Sequence, residues 1–160
     1  MLMNRARLEC QSHRLSVEDA PSVEYIARLI ASIQQKFTAR GGRRPIGICN
    51  VIAGYDVDGS PALYQTDPSG TFSSWKAVST GRAGKACREY LEEKYKPDMD
   101  QDECIKLVVA SMLDTVESGA KSIEVAVMSA TNGLQSIETE KIAAVVEQIE
   151  KEKEEEAAQE

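Results

Sequence analysis

The spacing of apolar residues predicts an amphipathic helix that begins at Val23. Its apolar residues recur at steps of three and four: Val23, Ile26, Ile30, Ile33 and Phe37. This spacing keeps one apolar stripe facing a core. The pair Gly41 and Gly42 favours a stop after it, because glycine tolerates the left-handed backbone that ends many helices. An earlier helix is predicted over residues 4–15, where the good helix formers Arg, Leu, Glu and Gln dominate.

Three strands are predicted next. Residues 46–55 are apolar at both odd and even positions, which is typical of a strand covered on both faces. The Asp-Gly pair at residues 58–59 predicts a hairpin turn. A second turn cluster at residues 67–70 separates two further strands, over residues 61–66 and 72–79.

The second half of the chain predicts paired helices, a hairpin and a last helix. In order these are a helix closed by Pro97, a helix over residues 100–118, strands over 122–128 and 134–137, and a helix over 139–149. Runs of antiparallel strands between pairs of helices are typical of an α+β layered sandwich. A doubly wound parallel sheet would instead alternate single strands with single helices.

Composition and charge narrow the class of protein. A chain of 160 residues with 42% hydrophobic and 28% charged residues is typical of one globular domain. The net charge is -7, and the segment from Glu138 onward carries nine acidic and three basic residues. We therefore expect a domain over residues 1–149 and a solvated acidic tail over 150–160.

The same features exclude two kinds of partner. A pI near 4.9 argues against nucleic acid, which requires a concentrated basic surface. No uncharged apolar stretch approaches the roughly 18 residues of a membrane span, and the first residues lack the apolar core of a signal peptide, so we expect no membrane partner. The predicted location is inside the cell.

Candidate chemistry at the cysteines is weak. Cys10, Cys49, Cys87 and Cys104 lie far apart without a C-x-x-C pair, so we expect no metal site. The single histidine, His13, follows Cys10 at helical spacing and could in principle activate its thiol. Such a pair lacks the third group that orients a catalytic base, so we expect buried or inert thiols.

Two loops partly match the patterns of ligand-binding loops. Between Gly81 and Gly84 there are two residues, and Ala86 follows Lys85. A phosphate-binding loop needs four residues between its glycines and a Ser or Thr after the lysine. The segment 56–59 could open a calcium loop, but the later oxygen ligands do not follow in register. We therefore expect no cofactor.

Several phrases of the sequence resemble alpha-ring subunits of the 20S proteasome. They are residues 4–10 (Asn-Arg-Ala-Arg-Leu-Glu-Cys), 44–47 (Arg-Pro-Ile-Gly), 64–70 (Tyr-Gln-Thr-Asp-Pro-Ser-Gly) and 75–77 (Trp-Lys-Ala) followed by Gly81. The charged closing segment 147–155 is most similar to the alpha-type 7 subgroup. The resemblance covers essentially the whole chain.

The resemblance implies a fold and a function. The fold would be an Ntn-hydrolase-like four-layer α/β/β/α sandwich with antiparallel sheets, here lacking the N-terminal helix and first strands. The function would be that of a non-catalytic subunit of the outer alpha ring, contributing to the substrate-entry pore in ubiquitin-dependent protein degradation. Neighbouring alpha subunits, the adjacent beta ring and regulatory particles would be its partners, in the cytoplasm and nucleus.

The resemblance also assigns residues. Catalytic family members use an N-terminal threonine whose own amino group is the base, whereas this chain starts with Met1, so we assign no catalytic residue. The turn that would line the pore is Arg44, Pro45, Ile46 and Gly47, with Ile46 where the family usually has an aromatic residue. The structural signature is Tyr64, Gln65, Thr66, Asp67, Pro68, Ser69, Gly70, Trp75 and Gly81.

Two other functions remain open from the sequence. The chain could be a free-standing interaction module that works through the acidic helix of residues 139–160. It could also be an Ntn-type amidohydrolase, which would need a processed nucleophile at its first residue.

Overall fold

The computed structural model describes residues 1–39, 41–42, 44–113 and 122–157, with side chains up to residue 153. These residues group into two compact units, Met1–Lys76 and Ala77–Glu160, which are described separately below. The prediction that residues 1–149 form one domain stays a prediction.

The first unit joins two helices to a three-stranded sheet. Its elements are α1 (Leu2–Val17), α2 (Val23–Ala39), β1 (Asn50–Tyr55), β2 (Pro61–Thr66) and β3 (Phe72–Ser74). The strands are antiparallel in the order β1-β2-β3. Asn50 pairs with Thr66, and Tyr64 pairs with Ser74.

The predicted apolar stripe of α2 lies against the sheet. Ile30 is only 3% exposed and packs with Ile26 and Leu2, and burying a side chain of this size stabilises the fold by about 1.5–3 kcal/mol. On the sheet side, β1 approaches α2 so closely that a Cβ on Gly54 would lie 2.7 Å from Cγ2 of Val23. The prediction of this helix is confirmed.

The predicted strand over residues 46–55 is wrong at its beginning. β1 starts at Asn50, and exposed and half-buried residues alternate along it, so only one face is covered. Asn50 pairs with Thr66, the last residue of β2, so β2 does not extend opposite residues 46–49. The third strand is also shorter than the predicted 72–79: β3 ends at Ser74, although the N–H of Trp75 still donates to the carbonyl of Leu63 at 2.9 Å.

In its described residues, the second unit has three helices, a hairpin and an apolar core. Its elements are α3 (Gly84–Lys94), α4 (Gln101–Leu113), β4 (Ala126–Ser129), β5 (Gly133–Ser136) and α5 (Thr139–Ala157). The core consists of Val109, Ala110, Ile123, Ile142, Val146 and Ile149. β4 and β5 pair antiparallel, as predicted, but β4 is shorter than the predicted 122–128. Residues 114–118 of the predicted helix lie outside the described residues.

The last helix is longer than predicted. α5 continues from the buried Ile149 to Ala157, through the charged run that was expected to be a solvated tail after the helix. Glutamate and lysine are good helix formers, and extending an existing helix costs far less than starting one. Lys151 also pairs with Glu147 one turn earlier at 3.2 Å, and Lys106 of α4 forms an ion pair with Glu152. The predicted end at residue 149 is therefore wrong.

Both units combine helices with antiparallel strands, which confirms the predicted α+β class. Within the part of the chain that the structure describes, no helix is both long and apolar enough to cross a membrane.

Candidate functional site

The four residues predicted to line a pore lie between α2 and β1, in the 44–47 turn. Arg44, Pro45 and Gly47 are exposed, whereas Ile46 is half buried. The Ile46 side chain packs against the cluster formed by Leu2, Ile26 and Ile30. The side chain at the position where the family usually has an aromatic residue therefore contacts the core of its own unit.

The turn is tight at Gly47. The N–H of Ile48 donates to the carbonyl of Ile46 at 2.9 Å, which closes a three-residue turn around Gly47. The Ile48 side chain is 52% exposed, so packing of that side chain does little to hold the turn.

A buried polar network fixes the backbone just after the turn. Gln34 of α2 and Thr66 of β2 are both 0% exposed. The Gln34 Nε2 donates to the carbonyl of Ile48 at 2.9 Å, and its Oε1 accepts the Thr66 hydroxyl at 2.7 Å. The Asn50 Nδ2 donates to the Thr66 oxygen at 3.0 Å. Each buried polar group of the network thus has a partner, as a buried polar group requires.

The network links the predicted turn to the predicted signature. Thr66 is the signature residue that ends β2, and through Gln34 it is connected to the backbone that follows Gly47. Tyr64 and Gln65 precede it on the same strand, and the Tyr64 ring lies 6.3 Å from the ring of Phe72 on β3. The structure therefore brings the beginning of the signature close to the 44–47 segment.

The rest of the signature forms a turn pressed on α2. Asp67 accepts hydrogen bonds from the hydroxyl and the N–H of Ser69 and from the N–H of Thr71, and the Ser69 hydroxyl, with these N–H groups, holds the pKa of the Asp67 carboxyl below its usual value. Gly70 has a φ of 89°, and a Cβ there would lie 2.7 Å from the carbonyl oxygen of Ala31. Only glycine satisfies both conditions.

Two signature residues lie apart from that turn. Trp75 follows β3 in the first unit, and its backbone N–H donates to the carbonyl of Leu63 on β2. Gly81 belongs to the second unit, where its φ is 107° and its carbonyl accepts the N–H of Gly84 at 3.2 Å as α3 begins. Gly81 therefore shapes the entry to a helix. Gly81 and Thr66 therefore belong to different units, although both are part of the predicted signature.

The residues considered for thiol chemistry have structural partners. Cys10 packs half buried against the cluster of the first unit. The His13 ring lies 5.2 Å from that of Tyr25, and its Nδ1 lies 3.1 Å from the carbonyl of Asp19. Cys104 is exposed, but partial desolvation, with smaller contributions from Asp100 and Glu103, raises the pKa of its thiol, which disfavours a reactive thiolate.

The described residues offer little support for the other ligand sites. No group of three or more His, Cys, Asp or Glu among them could hold a metal ion. After the Gly81–Gly84 loop, the Lys85 Nζ lies 3.8 Å from Oε1 of Glu89 and forms an ion pair with it. The acidic helix α5 buries Ile142, Val146 and Ile149 in the core of its own unit. Its 139–149 stretch is therefore part of the fold, which counts against the free-standing module.

Gln34 and Asn50 were missed by the sequence analysis. Gln34 lies one helical turn after Ile30 and two after Ile26, on the same face of α2. A polar residue on an apolar stripe was the available signal. Its partners, Ile48 and Thr66, lie 14 and 32 residues away in sequence, so the signal could not name them.

Comparisons with known proteins place this chain in a family. The model of the proteasome subunit family matches residues 1–128. "Proteasome subunit alpha type-7" of Cicer arietinum is 56% identical over 154 residues, and the protein of that name from Solanum lycopersicum is 54% identical. The one from Dictyostelium discoideum is 50% identical.

These alignments cover 96% of the chain and 59–61% of the three relatives. The chain thus spans about three fifths of their length. The resemblance to the alpha-type 7 subgroup is confirmed by the same three proteins. Because the family model covers residues 1–128, well over half of the chain, this protein belongs to the proteasome subunit family.

Proposed function

We propose that the protein is a structural, non-catalytic subunit of the outer alpha ring of the 20S proteasome, acting in ubiquitin-dependent protein degradation. The observation that carries this proposal is the 56% identity over 154 residues to a relative named proteasome subunit alpha type-7. The alpha subunits that the sequence resembles build the ring and gate substrate entry, and the catalytic family members are those with an N-terminal threonine nucleophile.

In this role the 44–47 turn faces the axial pore. Arg44, Pro45 and Gly47 are exposed, and Ile46 is held in the unit's own apolar cluster. We infer that the exposed backbone around Gly47 and the Arg44 side chain supply this chain's share of the pore surface. The Ile46 side chain contributes by holding the turn in place.

The partners follow from the same proposal. They are the neighbouring alpha subunits, the adjacent beta ring and the regulatory particles that dock on the alpha ring. The location is the cytoplasm and nucleus, where such assemblies work. The support is the family membership and the names of the relatives.

Affinity purification of the tagged full-length protein from its own cells tests the proposal. We expect it in a barrel-shaped assembly of several hundred kilodaltons, seen by native mass spectrometry and electron microscopy, together with peptide-hydrolysing activity from the other subunits. Recovery of the protein as a monomer alone would overturn the proposal.

A matched control variant is Ile30→Asp. Ile30 is 3% exposed in the core of the first unit, and an unpaired charge there should prevent folding. We expect this variant to lose both the assembly and the associated activity. An equal yield of activity from Ile30→Asp would mean that the activity had been recovered nonspecifically.

A further inference from the structure

The backbone that follows the 44–47 turn depends on one buried side chain. The Ile48 carbonyl accepts the Gln34 Nε2 at 2.9 Å, while the Ile48 side chain is 52% exposed and gives little packing. We propose that Gln34 is a positioning residue: by holding the Ile48 carbonyl, it sets the place of the turn that faces the pore. The importance for the pore rests on the proposed function, whereas the positioning does not.

The direction of each hydrogen bond in the network is fixed by chemistry. The amide nitrogen of Asn50 can only donate, so the Thr66 oxygen accepts from it at 3.0 Å. The one hydroxyl proton of Thr66 is then given to the Gln34 Oε1 at 2.7 Å. The Ile48 carbonyl can only accept, so Gln34 presents its amide nitrogen to that carbonyl and its Oε1 to the Thr66 hydroxyl. The Ile48 carbonyl and the Thr66 hydroxyl together orient Gln34, and Gln34 holds the loop.

The hydrogen bond between Gln34 and Ile48 also restrains the turn, because Ile48 is itself bonded to Ile46. The N–H of Ile48 donates to the carbonyl of Ile46 at 2.9 Å, so these two residues move together around Gly47. Ile46 is tied to the apolar cluster and Ile48 to the buried polar network. Between these two attachments Gly47 is exposed. Releasing the Gln34 attachment should leave the turn held at one side only.

Hydrogen–deuterium exchange on the full-length protein in its native assembly tests the proposal. The variants are Gln34→Leu, which removes both amide bonds at similar volume, Thr66→Val, which removes the orienting hydroxyl, and Thr66→Ser, which keeps it. We expect the amides of residues 46–50 to exchange about tenfold faster in Gln34→Leu and severalfold faster in Thr66→Val. Thr66→Ser should restore the wild-type rate.

The matched control is Asp56→Ala. Asp56 accepts the N–H of Val23 at 2.8 Å, at the other end of the same helix, and has no part in the network. This variant weakens the same unit, so it reports what general destabilisation does. We expect faster exchange at residues 22–26 and an unchanged rate at residues 46–50.

Two results would overturn the positioning role. One is a wild-type exchange rate at residues 46–50 in Gln34→Leu. The other is an equal acceleration there in Asp56→Ala, which would reduce Gln34 to a general stabiliser. If Gln34→Leu does not assemble, Thr66→Val, with Thr66→Ser as its rescue, decides by the same two results.

A second readout separates this proposal from the proposed function. Peptide hydrolysis by the assembly should change in Gln34→Leu and be normal in Thr66→Ser. Faster exchange at residues 46–50 with wild-type hydrolysis would support the positioning role and overturn the pore-facing role of the turn. If the protein is found outside any ring, the exchange measurement on the free full-length chain still decides the role of Gln34.

Discussion

The two hairpin turns of the first unit share one design but support the fold differently. The 56–60 turn joins β1 to β2, and the 67–71 turn joins β2 to β3. In each, the glycine N–H donates to the carbonyl of the aspartate that begins the turn: Gly59 to Asp56 at 2.9 Å, and Gly70 to Asp67 at 3.0 Å. Gly59 and Gly70 have φ values of 79° and 89°. This is the common three-residue hairpin loop in which a left-handed residue follows a turn.

Each turn contacts α2, but through a different kind of interaction. In the first turn, the carboxylate of Asp56 accepts the N–H of Val23 at 2.8 Å, which places negative charge at the helix N-terminus, where it is favourable. In the second turn, Gly70 lies directly against the helix, so that a Cβ would be 2.7 Å from the Ala31 carbonyl oxygen. One turn acts through a hydrogen bond and the other through close contact.

The difference shows that glycines at equivalent positions of two similar turns can contribute unequally to the stability of the fold. Among the described residues, no atom beyond the chain neighbours of Gly59 lies within 4 Å of the place where its Cβ would be, whereas a Cβ on Gly70 would meet the helix backbone. At a positive φ, as at Gly59 and Gly70, glycine avoids the backbone strain that a Cβ would cause. Whether it also makes room for a neighbour depends on what the folded chain places beside it.

The largest expected effect comes from Gly70→Ala compared with Gly59→Ala. Gly59→Ala adds only the cost of a left-handed Cβ, about 1–2 kcal/mol. Gly70→Ala adds to this a collision with backbone atoms, for a total loss of about 3 kcal/mol or more in the free energy of unfolding. Chemical denaturation of the two variants measures the difference. Equal losses would show that the contact with α2 is unimportant.

A smaller effect is expected from the aspartate that caps the helix. Asp56→Ala leaves the N–H of Val23 without its carboxylate and should lower the free energy of unfolding by about 1 kcal/mol. The matched control is Asp58→Ala, because Asp58 accepts the N–H and hydroxyl of Ser60 within the same turn. We expect Asp58→Ala to cost less than Asp56→Ala, as determined by urea titration. The reverse order would contradict the role of Asp56 as a helix cap.

The smallest expected effect is the loss of stability in acid. Hydrogen bonds from Ser60, chiefly its hydroxyl, lower the pKa of the Asp58 carboxyl, and those from Ser69 do the same for Asp67. A carboxyl whose pKa is lower in the folded state stabilises the fold above its unfolded pKa of about 3.9. This contribution disappears as the pH falls through the lower, folded value.

Urea midpoints between about pH 5 and pH 2 measure this contribution. Asp58→Asn and Asp67→Asn should each give a slightly flatter fall of the midpoint with decreasing pH, and the two variants should behave alike. Both carboxyls lie at the surface, where water weakens such interactions, so the change should be small. A steeper fall in either variant would contradict the sign of the pKa shift.

Regular spacing along the sequence was enough to predict some elements, but not the bounds of others. The stripe that begins at Val23 predicted α2 because helix period is a local property. The run at residues 46–49 has the composition of a strand, but a strand also needs a partner, and β2 ends opposite Asn50. Composition could not show where that distant partner ends.

The candidate site divides in the same way. The 44–47 turn and the signature from Tyr64 to Gly70 were found from the sequence, because they resemble phrases of a known family. Gln34 was not found, because its role depends on hydrogen bonds to Ile48 and Thr66, which lie 14 and 32 residues away in sequence.

By itself, the sequence determined the α+β class, the two hairpin turns, the helical stripe and the family to which the chain belongs. These depend on periods, turn residues and phrases that are complete within short segments. Only the tertiary structure decided that Ile46 would face the unit's own core, that Gly70 would lie against α2, and that Gln34 would hold the Ile48 carbonyl. Those contacts join residues far apart in sequence, and short-range forces act between them only after the chain has folded.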